Sequence, residues 1–436
     1  MARIVTDHRA VRRINGPLQA VVAVPGSKSI ANRALICATL AAGTSQLSNL
    51  PLGDDTVAML SCVSALGAGI GRDGTTCVVA GTAGVLNPGP ATLHAGLAGT
   101  TSRFITALCA LGSGDYVIDG FAPLRARPMG PLHDALGQLG SAVQPLETPG
   151  HLPVRLSGRA RRLADPSLPP ISVSLPGNVS SQYITALMLI GPYLAHGLRI
   201  ALTTPLISRP YVLITKAVMA SFGVDDVAVS DGVIDVWPGT YQACDYDIEP
   251  DASSASYPLA AAAICGGQVR VRGLGPSALQ GDAAFADLLA EMGCVITRDE
   301  TGTTVRRAGP LRGISVDMAD LSDLVPTLAV TAPFATSPTT ITGVGFIRAK
   351  ESDRLGDLAT ELARCGIRAE VEPDGIVIYP GLGAGSMLDT HHDHRLAMAF
   401  AVLGLGLDGV IINDPTVVSK SWPEFWGMLE QIDIPQ

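Results

Sequence analysis

What most limits how this chain can fold is a landmark it repeats five times. A glycine follows a helix-like segment at Gly67, Gly140, Gly223, Gly293 and Gly366, with separations of 73, 83, 70 and 73 residues. Such a glycine suits the left-handed residue that commonly ends a helix. Val/Ile-rich runs follow, among them Cys77-Val78-Val79-Ala80, Val154-Arg155-Leu156 and Val233-Ile234-Asp235-Val236, which read as strands. A second series, of helix starts, falls near Lys28, Thr100, Ser181, Ala252, Asp323 and His394, separated by 72, 81, 71, 71 and 71 residues. Both series share a period of about 70–80 residues, too long for common solenoid repeats. Each period holds two helices and several strands, so the unit is a small α/β module.

Six starts against five complete helix–Gly–strand units imply that the two chain ends together complete the sixth. Strand Ile4-Val5 and the run Leu18 to Val24 would then belong with the C-terminal half. Six modules divide into two groups of three, with helices behind an outer layer of sheet. The chain is expected to pass between groups at Pro25-Gly26 and near Glu249-Pro250-Asp251, two crossing strands that make a hinge. The expected lobes are residues 1–25 plus 250–436 and residues 26–249, with the active site in the cleft between them.

Composition narrows the function. The chain has 436 residues, 47% hydrophobic and only 16% charged, which excludes a disordered or coiled-coil protein. A net charge of −9 argues against nucleic acid, whose phosphate backbone selects a basic surface. An anionic small molecule stays open if the cations converge in one place. The eight cysteines form no CxxC pair, the N-terminus lacks a signal-like apolar core, and no apolar run approaches about 18 residues. The reading is a reduced, cytoplasmic protein that neither enters a membrane nor carries a metal or other cofactor. His391, His392 and His394 read as a polar helix start with Asp393.

Unusual polar groups gather at the second helix series. Ser27-Lys28-Ser29, Gly99-Thr100, Ser180-Ser181-Gln182, Asp251-Ala252-Ser253, Ser322-Asp323 and Asp393-His394-Arg395 contain ordinary N-caps. Caps do not explain Lys28, Arg33, Arg103 and Arg395, because a cation there opposes the helix dipole unless an anion lies between. Loops add Arg125, Arg127, Ser208-Arg209-Pro210-Tyr211, Lys350-Glu351-Ser352-Asp353-Arg354 and Ser419-Lys420-Ser421. Taken singly, each also reads as a solvated surface. Together they would suit a ligand with phosphate and carboxylate groups, with Asp323 and Glu351 as the carboxylates set among them.

In these residues, in this order, the chain resembles the 5-enolpyruvylshikimate-3-phosphate synthases, a family of enolpyruvyl transferases. Pro25-Gly26-Ser27-Lys28-Ser29, Ala98-Gly99-Thr100, Arg127-Pro128-Met129, Asp251 to Tyr257, Lys350 to Arg354 and Asp393-His394-Arg395 carry the likeness. The resemblance implies an inside-out α/β barrel fold, two lobes of three βαβαββ repeats joined by two hinge crossovers, in a cofactor-free monomer. It implies transfer of the enolpyruvyl group of phosphoenolpyruvate to the 5-hydroxyl of shikimate 3-phosphate, releasing phosphate. On that analogy Ser180, Ser181, Ser208 and Lys350 hold the shikimate phosphate, and Ser29, Arg33, Gln182, Tyr211 and Asp323 frame its ring. Arg127, Arg354, Arg395 and Lys420 grip phosphoenolpyruvate. Lys28, Gln182 and Gly99 lie by its reacting end, Asp323 takes the hydroxyl proton and Glu351 protonates the methylene carbon.

Two positions depart from the family pattern. Leu97 and Phe346 stand where many members carry Asn, with Arg348 expected to compensate for the second. Gly99 keeps the small residue that leaves room for glyphosate. Two rival readings are a transferase acting on UDP-N-acetylglucosamine and a non-catalytic anion-binding protein of the same fold. The first usually carries a reactive Cys in the loop before Arg-Pro, where Gly120 to Arg127 has none. The second would not need Asp323 and Glu351 together.

Overall fold

A computed structural model describes residues 8–158 and 171–432. The five landmark glycines all follow helices and all have positive φ, between 70° and 111°. The helices before them are Asp54–Ala65, Gly130–Gln138, Arg209–Ser221, Phe285–Glu291 and Gly356–Arg364.

Sheet topology gives the repeat its physical form. Strand Ile171–Leu175 pairs in parallel with Leu198–Leu202, which pairs antiparallel with Val233–Val236, which in turn pairs antiparallel with Val227–Val229. Four other sheets have the same order. The sixth, among the described residues, has three strands: Met387–Asp389 parallel to Ile411–Asn413, and His8–Ala10 antiparallel to it. The two chain ends therefore do meet in one module. Ile4-Val5 lies outside the described residues.

Two further modules are assembled from distant parts of the chain. Leu18–Val22 pairs in parallel with Gly267–Arg272, although the helix following it in sequence, Lys28–Leu40, belongs to another module. Asp245–Asp247 likewise pairs with Thr44–Ser48, while the chain runs on into helix Ala252–Cys265. The chain accordingly splits into two compact units, Met1–Pro25 with Glu249–Gln436, and Gly26–Ile248. Each unit has its own hydrophobic core.

Within each unit the second-series helices are interior. Lys28–Leu40 is buried from Ile30 to its end, and Ala252–Cys265 is buried from Ala252 to Ile264. A helix apolar on every face belongs inside a bundle, and the run Ala260 to Ala263 lets neighbouring backbones approach. Helix Ala252–Cys265 packs on His394–Gly406 and Val325–Thr331, and Gly99–Cys109 packs on Ser181–Ile190. Strands alternate instead, as in Leu18–Val22, where Leu18, Ala20 and Val22 are buried. Helices form the inner layer and sheets the outer. All eight cysteines are free and six of them are buried. No described helix is long and apolar enough to cross a membrane.

Two glycines with different backbone geometry should respond oppositely to a methyl group. Gly293 has φ 107°, where any side chain is strained, whereas a Cβ on helical Gly137 meets nothing within 4 Å. Gly293→Ala should cost about 1–2 kcal/mol, and Gly137→Ala should add about 0.5–1 kcal/mol. Urea denaturation of the two variants checks both signs.

Candidate active site

Each unit carries its own cluster, and both begin where interior helices begin. In unit Gly26–Ile248, Ser27 caps Lys28–Leu40 by accepting from Ile30 N, and Ser180 caps Ser181–Ile190 by accepting from Gln182 N. Lys28 Nζ donates to Asp55 Oδ2 at 2.9 Å, and that carboxylate is only 4% exposed. Asp55 enters from the first turn of helix Asp54–Ala65. An acid in a first turn is ordinary dipole compensation, so nothing in the sequence marks Asp55 as the partner of Lys28.

Gly99 lies under two guanidinium groups. A Cβ built there would stand 2.5 Å from Arg103 Nη1 and 2.6 Å from Arg127 Nη1. Only glycine lets both cations approach the helix N-terminus this closely. Gln182 Nε2 donates to Thr100 Oγ1 at 3.2 Å, and Tyr183 Oη donates to the Pro128 carbonyl, joining two repeats beside them. Ser208 precedes helix Arg209–Ser221 with a left-handed φ of 54°, and its carbonyl accepts from Tyr211 N at 3.1 Å. A strained serine at a helix entrance is a common mark of a functional position.

Arg33 and Arg103 correct the simple reading of cations at helix starts. Arg33 lies one turn inside its helix and is 2% exposed. It donates to Thr215 Oγ1, Thr185 Oγ1 and the carbonyls of Ser29 and Tyr211, at 2.6–3.2 Å. Its guanidinium also faces the Phe104 ring, and burial pushes its pKa down to about 10. It ties three helices and fixes Ser29 and Tyr211 rather than facing outward. Arg103 is buried too, against Tyr183 and the Pro128 carbonyl. Arg125 is a surface ion pair, bidentate to Asp119 and bonded to Glu147.

The other unit holds a denser cluster. Arg354, 1% exposed, donates to Asp393 Oδ2 at 2.7 Å, Asp323 Oδ1 at 2.9 Å and Glu351 Oε2 at 2.8 Å. Lys350 Nζ reaches Asp323 Oδ1 at 3.0 Å, and Arg395 Nη2 reaches Asp323 Oδ2 at 2.8 Å. Lys420 Nζ stands 4.0 Å from Glu351 Oε1. Thus Asp323 faces three cations, two from the loop Lys350 to Arg354 and one from the first turn of helix His394–Gly406. Burial alone would raise its pKa, but Arg395, Lys350 and Arg354 outweigh it and hold the carboxyl well below its usual range. Asp393 caps helix His394–Gly406 by accepting from Arg395 N and so orients both arginines.

Phe346 packs its ring 5.7 Å from Lys350 Nζ. Arg348 is engaged elsewhere, with Asp353 at 3.4 Å and the Glu372 carbonyl at 3.1 Å, and offers no compensation for Phe346. No group of His, Cys, Asp and Glu among the described residues has a metal-binding arrangement.

Asp282 had no sequence signal. It is buried behind this cluster and accepts a short bond from Ser253 Oγ. Burial first, then the charge of Asp323, raises its pKa to about 6.

These two clusters can be set beside known proteins. The sequence profile for EPSP synthase (3-phosphoshikimate 1-carboxyvinyltransferase) matches residues 12–429. The chain belongs to the EPSP synthase family. A 3-phosphoshikimate 1-carboxyvinyltransferase from Nostoc punctiforme is 40% identical over 98% of this chain and 100% of its own length. One from Methanoculleus marisnigri is 39% identical over 95% and 97%. Among solved structures, EPSP synthase of Acinetobacter baumannii has a TM-score of 0.83 at 25% identity, covering 98% of each chain. The enolpyruvyl transferase NikO of Streptomyces tendae, at 19% identity, shares the fold with a TM-score of 0.73. The two-lobed EPSP synthase fold thus accounts for the repeats and for the interrupted modules.

Asp282 gives this EPSP synthase family member a pH signature. Its folded pKa lies above the usual carboxylate value, so the folded protein binds the extra proton and loses stability as pH rises from about 4 through about 6. Asp282→Asn lacks that loss. Its stability relative to the parent should improve by about 1–3 kcal/mol between pH 4 and pH 7, as read by urea denaturation at each pH.

Proposed function

We propose that the chain transfers the enolpyruvyl group of phosphoenolpyruvate to the 5-hydroxyl of shikimate 3-phosphate, releasing phosphate. The observation that carries this reading is Asp323, a partly buried carboxylate kept ionised by Lys350, Arg354 and Arg395. A base in that setting is inert while its cations are fully engaged with it. When the carboxylate and phosphate of phosphoenolpyruvate engage Arg354 and Arg395, the field on Asp323 weakens and its proton affinity rises. Ligand arrival thereby switches the base on.

The steps balance with this chain's groups. Glu351 delivers a proton to the methylene carbon of phosphoenolpyruvate, leaving its neighbouring carbon electron-poor. The 5-hydroxyl oxygen attacks that carbon while Asp323 takes the hydroxyl proton. The tetrahedral ketal phosphate then loses phosphate, which carries off the proton held by Asp323, and Glu351 recovers a proton from the methyl carbon to restore the alkene. Lys28, held by Asp55, neutralises the departing phosphate. Fixed cations do this without reorganising at the moment of reaction.

In the same assignment Ser180, Ser181, Ser208 and Lys350 take the shikimate phosphate, and Ser29, Gln182 and Tyr211 flank the ring. Arg33 acts through Ser29 and Tyr211. Arg127, Arg354, Arg395 and Lys420 take phosphoenolpyruvate beside Gly99. The work is done in the cytoplasm, on small-molecule substrates, by a monomer.

The deciding experiment measures inorganic phosphate released from phosphoenolpyruvate, with and without shikimate 3-phosphate. Release that requires shikimate 3-phosphate supports the reading. Release with UDP-N-acetylglucosamine instead, or with neither acceptor, rejects it. Glu351→Ala, and Lys28→Gln, which keeps a donor for Asp55, should each fold yet turn over at least ~100-fold slower. Glyphosate should compete with phosphoenolpyruvate. Gly99→Ala, by pushing Arg103 and Arg127 apart, should weaken both ligands by about tenfold or more. Steady-state kinetics of that variant with varied phosphoenolpyruvate reads both effects.

A further inference from the structure

The turn leading into helix His394–Gly406 is strained. His391 and His392 have φ of 49° and 57°, two successive left-handed residues that are not glycine. Several bonds hold them there. Asp389 Oδ1 accepts from His391 N at 2.9 Å, and the Thr390 carbonyl accepts from Asp393 N at 2.8 Å. The His391 ring is wedged between two carboxylates of one helix, with Nε2 at 3.0 Å from Glu361 Oε1 and Nδ1 at 3.5 Å from Asp357 Oδ1. Asp357 and Glu361 are four residues apart on Gly356–Arg364 and so share a face.

Glu361 is fully buried, and its second oxygen accepts from Asp389 N at 3.0 Å, with Arg364 Nε 3.5 Å away. A carboxylate so buried is a costly group to keep unless it is bonded on every side. Here it bonds the two ends of one turn. The connection matters because of what flanks it. Helix Gly356–Arg364 follows directly on Arg354, and the strained turn runs directly into Asp393 and Arg395. Asp393 joins these segments through Arg354. His391 joins the same two segments a second time, further from the arginines.

We propose that His391, held by Glu361 and Asp357, is a positioning residue for the capture of phosphoenolpyruvate. It fixes the left-handed turn that sets Asp393 on Arg354 and aims Arg395, and does so without touching the substrate. The idea rests on the assignment of Arg354 and Arg395 to phosphoenolpyruvate made above. Neither the motif Asp393-His394-Arg395 nor any spacing in the sequence marks it, because the histidine is used for the shape of a turn and not for chemistry.

The test compares the parent enzyme with His391→Asn, Glu361→Gln and Asp357→Asn. Asparagine tolerates the left-handed angle, so His391→Asn removes the ring contacts and spares the backbone. Each variant is first checked for cooperative thermal unfolding, and both KM values and kcat are then measured. KM for phosphoenolpyruvate should rise about tenfold in His391→Asn and Glu361→Gln, with KM for shikimate 3-phosphate changed less than about threefold. The His391→Asn/Glu361→Gln double variant should raise that KM by less than the product of the two single effects, because both changes remove the ring–carboxylate contact. Asp357→Asn, on the more exposed side of the ring, should show the same split in smaller degree and supplies the reading if the buried changes prevent folding. A parent that releases phosphate normally, with variants whose KM for phosphoenolpyruvate is unchanged or whose two KM values rise together, overturns the proposal and leaves the assigned reaction standing. A parent inactive with shikimate 3-phosphate would instead overturn the assigned reaction.

Discussion

Much of this structure depends on burying Arg354 among Asp323, Glu351 and Asp393. A guanidinium taken out of water costs several kcal/mol unless its N–H groups meet acceptors, and here each of its nitrogens does. Removing one carboxylate would leave charge stranded, so the cluster is arranged as a unit. The arrangement also keeps four cationic side chains, Lys350, Arg354, Arg395 and Lys420, within reach of one another despite their mutual repulsion. A polar cluster with that much internal bonding has its geometry set before any ligand arrives. Preorganisation of this kind is what transition-state stabilisation by fixed charge requires.

The fold serves that end by beginning its interior helices with polar residues. Every module places an all-round apolar helix inside and an amphipathic strand outside, so the N-terminus of the inner helix is the one place where polar groups can sit close to the core. The two interrupted modules, in which Leu18–Val22 and Asp245–Asp247 pair with strands far away in sequence, fix where the chain crosses. Asp251 N donating to the Pro25 carbonyl at 2.8 Å binds the two crossing strands to each other at that point.

The architecture was legible because its signals are local. A glycine after a helix, a Val/Ile alternation and a Ser or Asp cap each report on a few neighbouring residues, and their period did the rest. The count of helix starts against complete units implied that the two chain ends share a module, as the strands His8–Ala10, Met387–Asp389 and Ile411–Asn413 do. Roles of side chains were only partly legible. Arg354 stood out because it sits in the charged loop Lys350 to Arg354, and Lys28 and Arg395 because cations oppose a helix N-terminus. Arg33 and Arg103 stood out for the same reason, yet they are buried on Thr and carbonyl oxygens and on aromatic faces, and burial depends on packing that spacing does not encode. Asp55, Asp282 and His391 were missed for the opposite reason. An acid in a first turn or a histidine near a cap looks like ordinary surface chemistry until the partner, far away in sequence, is known.

On the proposed assignment, carboxylates hold the cations in place and the substrates' anions then take over part of that bonding. A crystal structure with shikimate 3-phosphate and phosphoenolpyruvate, or with glyphosate in place of the latter, tests it most directly. The expected result has Arg354 and Arg395 nitrogens about 3 Å from the ligand's acidic groups, Asp393 still bonded to Arg354, and Asp323 released from at least one cation. Ligand bound away from these arginines, or bound with the Asp323 contacts to Lys350, Arg354 and Arg395 all intact, would contradict the account.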